Sequence, residues 1–142
     1  MINKRLGGFL ISKIHQIAGR IFSKKLKSND INLNSAQGRI LFVLWKEDSL
    51  PINELARRTS LSKTSLTSML CRLEELGHII RKQSDIDKRS TILCLTKKNK
   101  ALKNKYEKVS MEMTDLFYNG LKEKEIDLFE EYLKRILNNL ED

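Results

Sequence analysis

Two short stretches hold the side chains best suited to binding chemistry. Ser62, Lys63, Thr64, Ser65, Thr67, Ser68 and Arg72 lie close together, and Asp87-Lys88-Arg89 follows. Hydroxyls both donate and accept hydrogen bonds, and their shortness lets a backbone approach a polar partner closely. Lysine and arginine add attraction to anionic oxygens, and an aspartate two residues before an arginine is spaced to hold the guanidinium through a bidentate pair. Catalysis finds little footing. The two histidines, His15 and His78, fall on different elements, and no paired-histidine metal motif, glycine-rich phosphate loop or nucleophile elbow is present. Cys71 and Cys94 are not spaced as a metal pair, and two cysteines make no disulfide framework. The expectation is a binding protein of the cytoplasm, not an enzyme, with no catalytic residues, metal or cofactor.

A helix must present the hydroxyls. On a helical wheel Leu66, Met69, Leu70, Leu73 and Leu76 share one face, which must lie on a core. Thr64, Thr67, Ser68 and Cys71 take the opposite face, flanked by Ser65 and Arg72. Ser62 stands at the N-cap, where the free amides of the first turn also favour a phosphate oxygen. A hydroxyl-rich outer face stabilises a helix poorly, so contact with a ligand surface is expected rather than idle solvation. A short helix, Pro51 to Arg58, and a polar turn, Thr59-Ser60, precede this one, and Gly77 ends it. A basic hairpin follows, Ile79 to Lys82 turning through Asp85 to Arg89 and returning as Thr91 to Leu95. The order suits a helix seated in a DNA major groove, with Arg89 held by Asp87 for the adjacent minor groove. For Asp87 and Arg89 the competing reading is a surface ion pair of little weight.

Charge distribution agrees with that placement. The 142 residues carry a net charge of +9. Residues 1–61 have 11 basic and 4 acidic side chains, residues 62–100 have 9 and 4, and residues 101–142 have 7 and 10. The positive field covers the reader and the first helix, as a polyanion-binding surface should. The longest apolar run, Ile40 to Trp45, is far too short to span a membrane.

The flanking helices are wide amphipaths. The first, from about Asn3 to Lys25, carries Leu6, Phe9, Leu10, Ile11, Ile14, Ile17, Ala18, Ile21 and Phe22, covering more than half its circumference. A second starts near Asn34, where Asn34 and Gln37 have capping-box spacing. Thr96 can cap a long fifth helix with a stripe of Leu102, Tyr106, Val109, Met113, Leu116 and Phe117. After a break at Asn119-Gly120, a last helix aligns Ile126, Phe129, Leu133, Ile136, Leu137 and Leu140. Linkers are expected only near Lys27 to Asp30 and at Asn119-Gly120. The surplus apolar faces imply a second copy of the chain, a homodimer, over a monomer folding its own termini together.

From Leu33-Asn34-Ser35-Ala36-Gln37 through Thr96, the chain resembles the MarR (multiple antibiotic resistance regulator) family of winged-helix regulators. The matching residues are Leu55-Ala56, Ser62-Lys63-Thr64 with Thr67, Arg72-Leu73-Glu74 leading to Gly77, Asp87-Lys88-Arg89 and Leu93-Cys94-Leu95-Thr96. The flanking helices match in number and placement. The chain departs from the family at Ser68, often basic there, at Cys71, often acidic, and at Pro51, usually a hydroxyl cap.

The resemblance implies a mainly α (α+β) fold, one domain over residues 1–142. Its winged helix-turn-helix lobe spans 34–96, with dimerisation helices in 1–33 and 97–142. It also implies a homodimeric repressor on an inverted-repeat duplex, released by a small aromatic effector bound near Ile14, His15, Arg39, Phe42, Val43 and Trp45. The family's peroxide sensors carry a reactive cysteine in the first helix, which has none here; Cys71 is the remaining candidate for redox control. The contrasting class is a winged-helix interaction module whose basic face meets another acidic partner.

Overall fold

Local capping chemistry sets the start of several helices. In the computed structural model, which describes residues 4–141, α1 spans Gly7–Ser28 and α2 spans Ser35–Lys46. The Asn34 side chain accepts from the Gln37 amide at 2.8 Å, and the Gln37 side chain accepts from the Asn34 amide at 3.0 Å. This reciprocal pair satisfies two amides that a helix start leaves unpaired. Asn3, where the sequence suggests the first helix begins, lies outside the described residues. At its other end α1 continues to Ser28, so the expected linker shrinks to the turn at Asn29 and Asp30, where Asp30 has φ 58°.

A strand missed in the sequence follows. Leu50–Pro51 form β1, and α3 is Ile52–Thr59. Pro51 therefore precedes the third helix instead of opening it. Next come α4 at Lys63–Glu75, β2 at Ile79–Gln83 and β3 at Thr91–Leu95. The wing is thus part of a three-stranded antiparallel sheet in the order β1-β3-β2. Leu50 pairs with Leu93 and Pro51 with Ile92, while Ile79 pairs with Leu95 and Gln83 with Thr91. A proline lacks the amide a central strand needs, and β1 sits at the sheet edge where that lack is tolerated.

The chain divides between Ser110 and Met111 into two compact units. Within the first, α1 packs on α2, α2 on α3, and α4 on β2. Leu41, Leu44, Leu55, Leu66, Leu70, Leu73 and Leu93 are fully buried in one cluster. Tyr106 and Val109, from the first part of α5 (Lys97–Phe117), complete it. The Phe22 and Trp45 rings lie 5.6 Å and 4.8 Å from the Tyr106 ring. Burial pushes the Tyr106 phenol up to about 12.

A polar chain crosses this core. Asn99 is fully buried; its Oδ1 accepts from Trp45 Nε1 at 2.7 Å, and its Nδ2 lies 3.2 Å from His78 Nδ1. With Oδ1 engaged by the indole, the amide nitrogen must donate, so Nδ1 accepts and Nε2 carries the His78 proton. Burial and, second, the nearby Lys98 charge hold His78 below its ordinary pKa. Thr96 Oγ1 accepts from the Asn99 amide at 3.2 Å and donates to the Gly77 carbonyl at 2.6 Å. Thr96 therefore caps α5 as its position suggests and ties it to the turn after α4.

In the second unit, α6 spans Glu123–Leu140 after the turn at Gly120, φ 88°. Tyr118 donates to Glu130 at 2.6 Å and meets the Phe129 ring edge-on. Each terminal helix leaves part of its apolar surface uncovered, although Leu26 of α1 is fully buried. Phe9, Leu10, Ile14 and Ile17 on α1 are exposed, as are Leu128, Ile136, Leu137 and Leu140 on α6.

Close approach of α2 and α5 depends on Gly38. A Cβ there would collide with the Tyr106 hydroxyl and sit 2.9 Å from its Cζ, whereas Gly8 in α1 faces open space. Gly38→Ala should cost about 1–3 kcal/mol of stability by overpacking. Gly8→Ala should cost nothing, since alanine favours a helix by roughly 0.5–1 kcal/mol. Chemical denaturation of both variants checks this, and equal stabilities would show that the contact does not constrain the helices.

Candidate nucleic-acid interface

The hydroxyls come to one surface because α4 is anchored on the other. Leu66, Leu70 and Leu73 are fully buried, whereas Thr64, Ser65, Thr67, Ser68, Cys71 and Arg72 are exposed. Ser62 caps the helix, its Oγ accepting from the Ser65 amide at 3.2 Å. Lys63 is exposed on the first turn. Arg72 makes an exposed ion pair with Glu75 at 3.3 Å, a contact worth little at a solvated surface.

The wing tip is ordered by its own backbone. Ser84 donates its amide to the Ser90 carbonyl at 3.0 Å, and Ser90 returns its amide to the Asp87 carbonyl at 2.9 Å. Gln83 Nε2 donates to the Lys88 carbonyl at 2.6 Å. Here the Asp87 role differs from expectation. Its Oδ1 accepts from the Arg89 backbone amide at 3.0 Å and its Oδ2 from the Ser90 hydroxyl at 3.4 Å. No ion pair among the described residues joins Asp87 to the Arg89 guanidinium. A short side chain two residues upstream closes an Asx turn on the nearest amide, so Asp87 fixes the turn and leaves the Arg89 side chain to project.

One connection between reader and wing was absent from the sequence reading. Arg81 on β2 donates from Nε to Glu74 of α4 at 3.2 Å, and its Nη2 lies 3.7 Å from Cys71 Sγ. Seven positions separate Glu74 and Arg81 across the turn at Gly77, and no helical or strand periodicity links them. A second omission lies on α3, where Glu54 accepts from both Arg57 and Arg58, and Arg58 also reaches Glu47 at 3.3 Å. Hydrogen bonds from Arg57 and then Arg58 pull the Glu54 carboxyl down to about 2.

The effector residues expected from the resemblance do not share one environment. Ile14, His15, Arg39 and Phe42 are exposed, Phe42 with Lys46 Nζ 5.3 Å from its ring centre. Val43 and Trp45 are half-buried against the core, with the indole N–H committed to Asn99. Cys94 is buried and Cys71 exposed. Among the described residues, no cluster of acidic, histidine or cysteine side chains could hold a metal ion, and no helix is long and apolar enough to cross a membrane.

A helix-turn-helix followed by an ordered antiparallel wing defines a winged-helix lobe. A family model described as the MarR family matches residues 33–91. The transcriptional regulator TtmR of Methylorubrum extorquens is 35% identical over 89 residues, 63% of this chain and 45% of that protein. The homoprotocatechuate degradative operon repressor of Escherichia coli is 35% identical over 74 residues, 52% of this chain and 50% of that one. A mutant E. coli MarR crystallised with operator DNA is 25% identical, with a TM-score of 0.83 over 92% of each chain. The match to the MarR family covers residues 33–91, and the chain spans about half the length of the curated relatives it matches.

The exposed hydroxyls of α4 hold no structural position, unlike the cap. Ser62→Ala should lower stability by about 0.5–2 kcal/mol through loss of the cap. Thr67→Ala and Ser68→Ala should leave it unchanged or raise it by a few tenths, alanine being the better helix former. Urea midpoints distinguish these results; a large loss at Thr67 or Ser68 would mean that this face is structural.

Proposed function

We propose that the chain is a homodimeric transcriptional repressor that reads an inverted-repeat DNA duplex. The observation carrying this reading is the exposed hydroxyl face of α4 beside a basic wing whose tip is held by backbone and side-chain hydrogen bonds within the stretch from Ser84 to Ser90. Lys63, Thr64, Ser65, Thr67 and Ser68 meet base edges and phosphates in the major groove, with Ser62 at the first turn and Arg72 on a phosphate. Lys88 neutralises the backbone, and Arg89 enters the minor groove from a turn set by Asp87. The solved complex of a related MarR protein with operator DNA supports the assignment.

The exposed apolar faces of α1 and α6 fit burial against a second copy of the chain, which would present two reading helices about one DNA turn apart. Release follows if a small aromatic molecule, bound near Ile14, His15, Arg39, Phe42, Val43 and Trp45, favours a different separation of the two lobes. The protein acts in the cytoplasm and carries out no catalysis.

A duplex selected from a random pool provides the test. Binding should weaken steeply with salt, and moving one half-site by about five base pairs should abolish paired binding by placing the half-sites on opposite faces. Arg89→Ala should weaken binding. Asp87→Ala should weaken it too, although it removes a negative charge, because the turn presenting Arg89 is lost. Tighter binding by Asp87→Ala would show that net charge, not wing geometry, governs affinity. Tight binding to the shifted site would favour an acidic partner of another kind.

A further inference from the structure

Ile86, at the wing tip, is 99% exposed, more than any other large apolar side chain among the described residues. An isoleucine in water forgoes the free energy of burial, and this turn prevents it from recovering any by folding back. Ser84 Oγ accepts from the amides of both Ile86, at 3.3 Å, and Asp87, at 3.2 Å. The Ser84–Ser90 and Asp87–Ser90 backbone bonds close the turn behind them. The side chain is therefore held outward at the extremity of the lobe, three residues from Arg89.

Resting on the DNA-reading assignment above, we infer that Ile86 is an apolar minor-groove contact, seated against the deoxyribose walls beside Arg89 at the flank of each half-site. Its surroundings favour a groove over a protein partner. Protein docking sites are contiguous apolar patches, whereas Ile86 stands alone among Asp85, Asp87, Lys88 and Arg89. A minor groove offers hydrocarbon walls beneath a phosphate rim, which suits one apolar side chain set among cations. The Asp87 carboxylate is turned inward onto Arg89 N–H and the Ser90 hydroxyl. Asp85 remains exposed and is repelled by phosphate, so the contact is shallow, with the sugars and the base-pair edge, and Ile86 does not insert between base pairs. Such a contact discriminates by groove floor, because the guanine amino group fills the space that an A·T pair leaves open.

The test is fluorescence anisotropy with the wild-type protein's selected duplex over a range of salt concentrations. Ile86→Ser should bind about tenfold more weakly with an unchanged slope of log affinity against log salt, since no phosphate contact is lost. Ile86→Leu should restore wild-type affinity. Replacing the flanking A·T pairs by G·C should penalise the wild type and leave Ile86→Ser indifferent. Arg89→Ala, measured alongside, reports separately whether the wing engages DNA. If Arg89→Ala weakens binding while Ile86→Ser matches wild type, the wing reads DNA without Ile86 and the inference is overturned. If no duplex binds the wild-type protein, both assignments fall together.

Discussion

The buried amide of Asn99 is the interaction on which the lobe's arrangement depends. It joins three elements distant in sequence: Trp45 on α2, His78 at the base of the wing and α5, which carries Asn99 itself. A buried amide left without partners costs about 1–3 kcal/mol, so a slip of α2, the wing or α5 relative to the others carries that penalty. Thr96 extends the same joint to the carbonyl of Gly77, where α4 gives way to the wing. Apolar packing alone would tolerate small shifts between these elements, whereas hydrogen bonds with fixed directions oppose them.

Reader and wing gain a fixed relation from this base and from Arg81, which bonds Glu74 across the turn. The exposed ion pair contributes little stability, but it orients β2 against α4 near the surface where both would meet DNA. The wing tip adds an independent order through Ser84 and Asp87. A loop already held in shape loses less conformational entropy on binding. The hydroxyl face of α4 is the complement of this rigidity: its short side chains occupy the outer surface without contributing to the core.

How much of this is legible in the sequence follows the range of the interactions. Caps are local, so Asn34 with Gln37, Ser62 and Thr96 could be read from spacing, and the leucine face of α4 follows from helical period. β1 escaped because it is two residues long, contains Pro51 and exists only through pairing with Leu93 and Ile92 much later in the chain. Asn99 sits in a lysine-rich run that reads as solvated surface; its burial arises from the tertiary meeting of Trp45 and His78. The residues Asp87 and Arg89 were recognisable, but their contact was not. Spacing permits either a guanidinium or an amide partner, and the turn's backbone selects the amide.

The central claim, that the first turns of α4 and the wing tip form one DNA-reading surface, is tested most directly by NMR. Backbone amide shifts and hydrogen exchange of the isotope-labelled protein would be followed as a selected duplex is added. The largest changes should fall on Ser62 to Ser68 and on residues 85–89 together, while amides on the buried side of α2 keep their shifts and their slow exchange. Changes confined to other surfaces, with both of these stretches unmoved at saturating duplex, would contradict the account.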